Sequence, residues 1–197
     1  MSFGERGGTR SSRSKARSED QRGTKEAKPP LTRQKLEELA LSYLNRFDCS
    51  GSKLKSQLTA RVRKLGGPPE AFGWIDELLQ RYRSSGLVDD ARFAKNLASQ
   101  LGARGKSSRA IAQKLAQRGV PGEVASELMS ERKQSEPGAE LSAALAYVRK
   151  RRLGPYRSAE KREEYRHKDL ASLARQGFSF DIAKKALGDG AASDEEF

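Results

Sequence analysis

Apolar residues recur at three- and four-residue steps along most of the chain, the spacing that places them on one face of an α-helix. The stripe that follows Thr32 consists of Leu36, Leu39, Ala40, Tyr43, Leu44 and Phe47. The next stripe, for which Ser52 is a candidate N-cap, precedes a Gly-Gly-Pro-Pro sequence and consists of Leu54, Leu58, Val62 and Leu65. The third stripe consists of Trp74, Ile75, Leu78, Leu79 and Tyr82. Three amphipathic helices are therefore predicted between residues 31 and 88.

A short joint then ends one helix and begins the next, and its residues are Gly86, Leu87, Val88, Asp89, Asp90 and Phe93. Gly86 can adopt the left-handed conformation that ends a helix, with Leu87 folded back on the last turn. Asp89 is a good N-cap, and Val88 and Phe93 have the spacing of a hydrophobic staple. The alternative is a paired-carboxylate site at Asp89 and Asp90 for a metal or acid–base chemistry, but capping explains both acids. The sequence predicts a tight corner here between two units.

The same arrangement recurs beyond the joint with shorter connections. The apolar stripes of the second unit are Phe93, Ala94, Leu97 and Leu101, then Ile111 and Leu115, then Val124, Leu128 and Met129. Ser107 or Ser108 can cap the middle helix, and Pro121 suits a first helical position because its missing N–H is not needed there. The third unit has a long charged helix from Ser158, preceded by a helix whose apolar residues are Leu141, Ala144, Leu145 and Val148.

An internal repeat relates the last two units. With Gly177 placed over Gly119, no gap is needed to superpose Leu173 on Leu115, Ala174 on Ala116, Phe178 on Val120, Ile182 on Val124, Ala183 on Ala125 and Leu187 on Met129. Three helices in roughly 45 to 50 residues bury little surface alone, so neighbouring units should stack. The predicted fold is all-α, an elongated, curved array of three tandem three-helix repeats at 31–88, 89–137 and 138–188. A disordered basic arm (1–30) and a short acidic tail (189–197) are predicted at the ends.

Composition points to an anionic partner. The 197 residues include 39 Lys and Arg against 26 Asp and Glu, a net charge of +13. This charge favours a protein that binds nucleic acid or an acidic protein surface over a basic protein that has no such partner.

Cys49 and His167 are single residues of their types, which excludes a disulfide framework and a Cys/His metal cluster. Because no nucleophile–base pair or phosphate-binding glycine loop is recognisable, no enzyme activity, cofactor or metal site is predicted. No apolar run approaches the roughly 20 residues of a membrane span, and a secretory signal is not apparent, so a cytoplasmic protein is predicted. A monomer is expected.

Positive charge increases along the chain. Residues 31–93 carry 11 basic and 8 acidic side chains, residues 94–137 carry 8 and 4, and residues 138–188 carry 12 and 6. The candidate binding residues form a band in the third unit and a smaller patch in the second: Arg149, Lys150, Arg151, Arg152, Arg157, Arg162 and Arg166, and Arg104, Lys106 and Arg109. Arginine suits phosphate and carboxylate alike, so the sequence does not choose between DNA and a protein. The alternative is that these side chains only solvate an exposed helix.

Aromatic residues at helical spacing are expected in the core rather than stacked on bases; they are Trp74, Tyr147, Tyr156, Tyr165 and Phe180.

Four short segments together match a known pattern. They are Ala40 to Leu44 with Arg46, Ser85 to Ala94 (Ser-Gly-Leu-Val-Asp-Asp-Ala-Arg-Phe-Ala), Lys106 with Ile111, Leu115 and Gly119-Val120, and Leu173 to Phe178. By these residues the chain resembles the RecX family, bacterial modulators of the RecA recombinase, from about Leu36 to Leu187. A Pro/Gly segment between Leu65 and Gly73 and the basic arm before Leu31 depart from the family's usual pattern.

The resemblance implies tandem three-helix repeats that bind in the helical groove of the RecA–single-strand DNA filament. It further implies inhibition of ATP hydrolysis, strand exchange and co-protease activity, and so a role in homologous recombination, DNA repair and the SOS response. The leading hypothesis is a non-enzymatic filament inhibitor, for which single- and double-stranded DNA are weaker, salt-sensitive partners. The alternative is a general DNA-binding helical protein that acts by coating DNA. Whether an inhibitor caps filament ends or wedges along the groove is left open.

Overall fold

The computed structural model describes Met1 and residues 31–188. In this part the backbone forms nine α-helices, one 3-10 turn (Gly154–Tyr156) and no β-strand. The helices are α1 (Arg33–Leu44), α2 (Gly51–Leu65), α3 (Ala71–Ser84), α4 (Asp90–Ala103), α5 (Ser108–Gln117), α6 (Gly122–Ser135), α7 (Ala139–Arg151), α8 (Ala159–Arg175) and α9 (Phe180–Leu187). The predicted disordered arm at 1–30, apart from Met1, and the predicted acidic tail at 189–197 lie outside the described residues.

The helices form three consecutive triplets, and each triplet encloses its own apolar core. The most deeply buried large apolar side chains are Leu36, Leu54, Val62 and Ile75 in the first core, Ile111 and Leu115 in the second, and Val148 and Leu173 in the third. These residues come from the three- and four-residue stripes of the sequence. The all-α class and the three tandem three-helix repeats are thereby confirmed.

A left-handed glycine closes the second helix of every triplet. These glycines are Gly66 (φ 65°), Gly119 (φ 75°) and Gly177 (φ 88°). In each case the N–H of the following residue donates to the carbonyl five residues back, over 2.9 to 3.2 Å. Glycine suits this position because other L-residues lose roughly 1–2 kcal/mol in the left-handed region. The equivalence of Gly119 and Gly177 inferred from the sequence therefore extends to Gly66 in the first unit.

Two details of the first unit differ from the sequence prediction. Ser50, not Ser52, is the N-cap of α2, because its backbone is extended and its hydroxyl accepts the Lys53 N–H at 3.2 Å. Phe47 lies beyond the end of α1 and is 51% exposed, because the chain turns away after Leu44. The first unit therefore presents the Phe47 ring to solvent, in addition to Phe72 of α3, which is 39% exposed.

The second and third units also refine the predicted caps and stripes. Ser107 is the N-cap of α5, whereas Pro121 occupies the N-cap of α6 rather than its first helical position. In α7, Tyr147 is buried and Leu145 is 42% exposed. This shift of the buried face follows from the two neighbours of α7, since the helix packs against α9 of its own unit and α4 of the preceding one.

At the joint between α3 and α4, Gly86 is left-handed (φ 72°) and the Asp89 carboxylate accepts a backbone N–H of the first turn of α4 at 2.8 Å. Val88 is buried in the first core and Phe93 in the second. Leu87 was expected to fold back on α3, yet it is 43% exposed. The reason is that Val88 occupies the buried position there, with its N–H bonded to a carbonyl in the last turn of α3.

Candidate nucleic-acid interface

Two buried serines join each unit to the next. Ser50 and Ser107 are both 0% exposed. The Ser50 hydroxyl donates to the Arg118 carbonyl at 2.6 Å, and the Ser107 hydroxyl donates to the Gln176 carbonyl at 2.6 Å. Each hydroxyl also accepts an N–H from the first turn of its own helix. Each serine therefore caps a helix and satisfies the end of the equivalent helix in the next unit, so the two junctions share one geometry.

A carboxylate adds a second repeated bond at each junction. Asp90 accepts the Gly51 N–H at 2.9 Å, and Glu140 accepts the Ser108 N–H at 2.9 Å. Asp90 also pairs with Arg83 at 3.2 Å. The two acids of the first joint thus have separate structural roles, because Asp89 caps α4 while Asp90 holds the start of α2. Within the described residues no group of three His, Cys, Asp or Glu side chains is placed to hold a metal ion.

The last turn of α7 and its C-cap carry the densest group of unpaired cations. Its members, Arg149, Lys150, Arg151 and Arg152, are exposed and form no hydrogen bond through their side chains, and no ion pair, within the described part of the chain. Basic side chains near a helix C-terminus also interact favourably with its dipole. That effect accounts for some positive charge at this position, but four consecutive basic residues exceed what a helix end requires.

Arg152 occupies a conformation that rarely suits a side chain. Its φ is 53°, the single positive value among the described non-glycine residues. Gly105 (φ 74°) is its counterpart in the second unit, since both end the first helix of a triplet with the same pair of backbone hydrogen bonds. A Cβ on Gly105 would lie 2.8 Å from the Tyr147 backbone nitrogen of α7. Position 105 must therefore be glycine, whereas position 152 is exposed and accommodates an arginine at a cost in backbone strain.

The junction brings the two predicted basic groups together. Arg104 and Lys106 flank Gly105, which packs directly on α7 at Tyr147. Arg151 is one helical turn further along α7, about 6 Å along the axis at 1.5 Å per residue. Arg104 and Lys106 of the smaller patch thus lie beside the basic end of α7, although more than 40 residues separate them from it in sequence.

A cleft of about 450 Å³ between α5 and α8 extends this surface. Its basic side chains are Lys106, Arg109 and Arg175, and no acidic residue is among the described residues that line it. The Lys106 ammonium donates to the Gln176 side-chain carbonyl at 3.1 Å. Sequence reasoning missed Arg175, although the internal repeat places it over Gln117, two residues before the left-handed Gly177. We call Arg104, Lys106, Arg109, Arg175 and Arg149 to Arg152 the junction surface.

The other predicted arginines of the third unit bind their own chain. Arg157 donates two hydrogen bonds to the buried Asp169 carboxylate, at 2.9 and 2.8 Å. Arg162 donates to the Arg157 and Pro155 carbonyls at 3.2 and 3.1 Å, and Arg166 pairs with Glu163 at 3.6 Å. Arg157 and Arg162 stabilise the turn between α7 and α8, and Arg166 pairs within α8, which leaves fewer of their donors for a partner.

Packing accounts for some of the remaining candidates for chemistry or stacking. Tyr147 is 8% exposed in the third core, and Trp74 packs against the first. Tyr156 and Phe180, expected in the core, are 50% and 65% exposed. Burial raises the pKa of the Cys49 thiol to about 11, which disfavours the thiolate needed for nucleophilic attack at neutral pH. No helix in the described ranges has the length and apolar character needed to cross a membrane.

Comparisons with known proteins converge on one family. The family model described as RecX, second three-helix domain, matches residues 89–129. Regulatory protein RecX of Myxococcus xanthus is 41% identical over 158 residues, which cover 77% of this chain and 83% of that protein. Regulatory protein RecX of Agrobacterium fabrum is 37% identical over 100 residues, 51% of each chain. The crystal structure of RecX from Lactobacillus salivarius matches with a TM-score of 0.60 at 18% identity, over 80% of this chain and 95% of that one, and so shares its fold.

Proposed function

The chain belongs to the RecX family of regulatory proteins, and on that premise we propose that it inhibits the RecA recombinase without catalysing a reaction. It binds in the helical groove of the RecA–single-strand DNA filament and inhibits ATP hydrolysis, strand exchange and co-protease activity. It acts in the cytoplasm as a monomer. Single- and double-stranded DNA are weaker partners whose binding is sensitive to salt.

The junction surface is the observation that carries this proposal. Most of its cations lack a carboxylate partner in the described chain, and adjacent like charges repel one another in the free protein. An anionic partner relieves that repulsion. Because the surface is built from two units joined by repeated hydrogen bonds, the backbone segments that carry its cations keep fixed relative positions. A fixed arrangement suits a periodic, structured target such as a filament groove.

The second candidate function is DNA coating by a general DNA-binding protein. The basic charge of the junction surface favours this function as well, since phosphate contacts alone supply sequence-independent affinity. The two candidates differ in what they require of the fold. Coating needs only positive charge, whereas groove binding also needs the correct placement of one unit relative to the next.

Salt separates the two functions. The chain is titrated into RecA filaments on single-stranded DNA while ATP hydrolysis is measured, and direct DNA binding is measured in parallel. A protein with ~6–10 phosphate contacts loses ~10³–10⁵ in DNA affinity between about 50 and 200 mM salt. We expect inhibition at near-stoichiometric protein to persist at the higher salt concentration, because filament contacts include protein. Inhibition that disappears in parallel with DNA binding, with no surviving filament complex, points to coating instead.

Charge reversal in the last turn of α7 is expected to weaken inhibition without unfolding the chain. Replacing Arg149, Lys150 and Arg152 together by Glu should raise the concentration needed for half-inhibition about tenfold or more, because like charges then face the anionic partner. Arg152→Gly serves as a comparison variant that removes one positive charge and should not destabilise the fold. It should raise the free energy of unfolding by about 1 kcal/mol, since glycine relieves the left-handed strain. Unchanged inhibition by the triple variant removes the end of α7 from the mechanism.

A further inference from the structure

The cations on two faces of the first unit differ in whether they have acidic partners. On the face between α1 and α3, Arg33 pairs with Glu77 at 2.7 Å and Arg81 with Glu37 at 2.5 Å. In the groove between α1 and α2, the cations are Arg46, Arg61 and Lys64, and no acidic residue is among the described residues that line it. None of the three forms an ion pair in the described chain. The first face is neutralised internally, whereas the groove keeps its positive charge.

The groove has an apolar and aromatic floor. Leu39, Tyr43 and Leu58 line it beneath the cations, and its volume is about 280 Å³. At one end the Tyr43 ring lies against Phe47, with ring centroids 5.0 Å apart and planes tilted by 39°. The Arg46 guanidinium carbon is 5.9 Å from the Phe47 ring centroid. A cationic rim thus runs directly into an aromatic pair.

Phe47 is not part of the buried core of the first unit. It is 51% exposed and lies outside α1, in the segment that leads to α2. The neighbouring core of the first unit closes without it, since the residues buried there are supplied by the helices and by Leu31, Cys49 and Val88. An exposed phenylalanine beside unpaired cations is the combination used to bind single-stranded nucleic acids, in which bases stack on aromatic rings and phosphates meet basic side chains.

We propose that the groove between α1 and α2 binds single-stranded DNA, with one base stacked on the Tyr43–Phe47 pair and the adjacent phosphates held by Arg46, Arg61 and Lys64. Single-stranded DNA is favoured over duplex because duplex bases are already stacked on one another and cannot reach an aromatic ring at the surface. It is favoured over an acidic peptide because a carboxylate chain uses the cations but not the exposed ring. The Arg46 side chain also donates to the Ser42 carbonyl at 3.3 Å, which holds it at the rim.

The proposed groove is separate from the junction surface. It lies in the first unit, whereas the junction surface is formed by the second and third. The proposal rests on the DNA-binding part of the proposed function and is independent of filament inhibition. The chain then carries two anion-binding regions, one suited to a flexible strand and one suited to a structured assembly.

Fluorescence anisotropy with a labelled oligodeoxythymidine of about 12 nucleotides, within the site sizes of single-strand binders, tests the groove in the full chain. Phe47→Ala is expected to weaken binding roughly 5- to 100-fold, as stacking losses do, with an unchanged salt slope. The double variant Arg61→Gln with Lys64→Gln should lower the slope of log affinity against log salt by about 1.4, since each single-strand phosphate contact contributes about 0.7. The aromatic variant is therefore expected to change the affinity alone, whereas the cationic double variant is expected to change the salt slope.

The paired face supplies the matched control. Arg33→Gln with Arg81→Gln removes two positive charges from the same unit, and we expect it to leave the salt slope unchanged because those arginines are already neutralised. Circular dichroism establishes that every variant is folded. The proposal is overturned if Phe47→Ala binds as the parent does, if both double variants lower the slope equally, or if Phe47→Ala weakens the binding of an acidic peptide or of a duplex of equal length as much as it weakens binding of the single strand.

The filament assay, run on the same variants, keeps this inference distinct from the proposed function. If the groove variants bind oligodeoxythymidine as tightly as the parent does, the proposal for the groove is wrong, whatever effect these variants have on ATP hydrolysis. If the parent chain binds the oligonucleotide through the groove but does not inhibit RecA, the proposal of filament inhibition is wrong. The proposal for the groove is then still supported.

Discussion

Replacing Asp169 by Ala is expected to lower the free energy of unfolding by about 3–5 kcal/mol, the usual cost of breaking a buried ion pair by removing one partner. Asp169 is 1% exposed. Its carboxylate accepts two hydrogen bonds from Arg157, at 2.9 and 2.8 Å, and the Gly154 N–H at 2.9 Å. The substitution leaves these donors without an acceptor and creates a cavity beneath α8. Denaturant unfolding followed by circular dichroism measures the loss.

A second acid on the same helix supplies the control. Glu163 pairs with Arg166 at 3.6 Å and its side chain is 88% exposed. An exposed pair contributes about 0–1 kcal/mol, so Glu163→Ala should have little effect on unfolding. Equal losses from the two variants would show that burial of Asp169 contributes nothing, and a loss below about 1 kcal/mol at Asp169 would contradict the buried-pair account.

The pH dependence of this stabilisation has a definite sign. Burial by itself raises the pKa of Asp169, but the hydrogen bonds from Arg157 and Gly154 and the charge of Arg157 outweigh it and lower the pKa below its ordinary value. A group with a lowered pKa in the folded state stabilises the fold above its unfolded pKa, about 3.9 for Asp. The difference in unfolding free energy between parent and Asp169→Ala should therefore be full at neutral pH and shrink as pH falls through the folded pKa.

Helix positions and the repeat were predictable because both depend on local spacing. The apolar stripes identify which residues face inward, and Leu115 and Leu173 are both fully buried as their superposition implies. Gly119 and Gly177 were recognisable because a left-handed helix end favours glycine regardless of what packs nearby. The corresponding role of Gly66 was hidden by the Pro/Gly segment that follows it. There the N–H of Gly67 makes the equivalent bond, and Leu31 packs against that glycine.

The junctions were not predictable, because their bonds join residues far apart in sequence. Ser50 and Ser52 are equally good N-caps on local grounds. The hydrogen bond from Ser50 to the Arg118 carbonyl, 68 residues away, accompanies its cap and buries it fully. The same limit applies to the arginines. Charge counting placed Arg157 among candidate binding residues, but charge alone cannot reveal the buried Asp169 that engages its guanidinium.

Arg175 and Phe47 illustrate what sequence periodicity conceals at a surface. Arg175 belongs to a helix end that is charged in many proteins, and it becomes part of a basic cleft through the approach of α8 to α5. Phe47 follows the helical spacing of the first stripe, so the sequence assigned it to the core. The turn after Leu44 instead exposes it beside Tyr43.

Gly105→Ala is expected to separate the contribution of unit placement from that of charge. A methyl group here would lie 2.8 Å from the Tyr147 nitrogen and 3.0 Å from the Ala143 carbonyl oxygen, both backbone atoms of α7 that cannot rotate away. The left-handed backbone adds its own penalty, for a total loss of about 2–5 kcal/mol in unfolding free energy. Relief of the overlap requires α4 and α7 to move apart, which displaces Arg104 and Lys106 from the basic end of α7.

Gly66→Ala is the matched control, because Gly66 has a similar φ of 65° and no atom lies within 4 Å of a Cβ built there. It should lose only the backbone penalty of roughly 1–2 kcal/mol and keep full filament inhibition. Both variants retain every charge of the chain. If filament binding depends on the placement of the second unit against the third, Gly105→Ala loses inhibition at temperatures where it remains folded, while Gly66→Ala does not. Full inhibition by folded Gly105→Ala would instead show that positive charge alone is sufficient, as DNA coating requires.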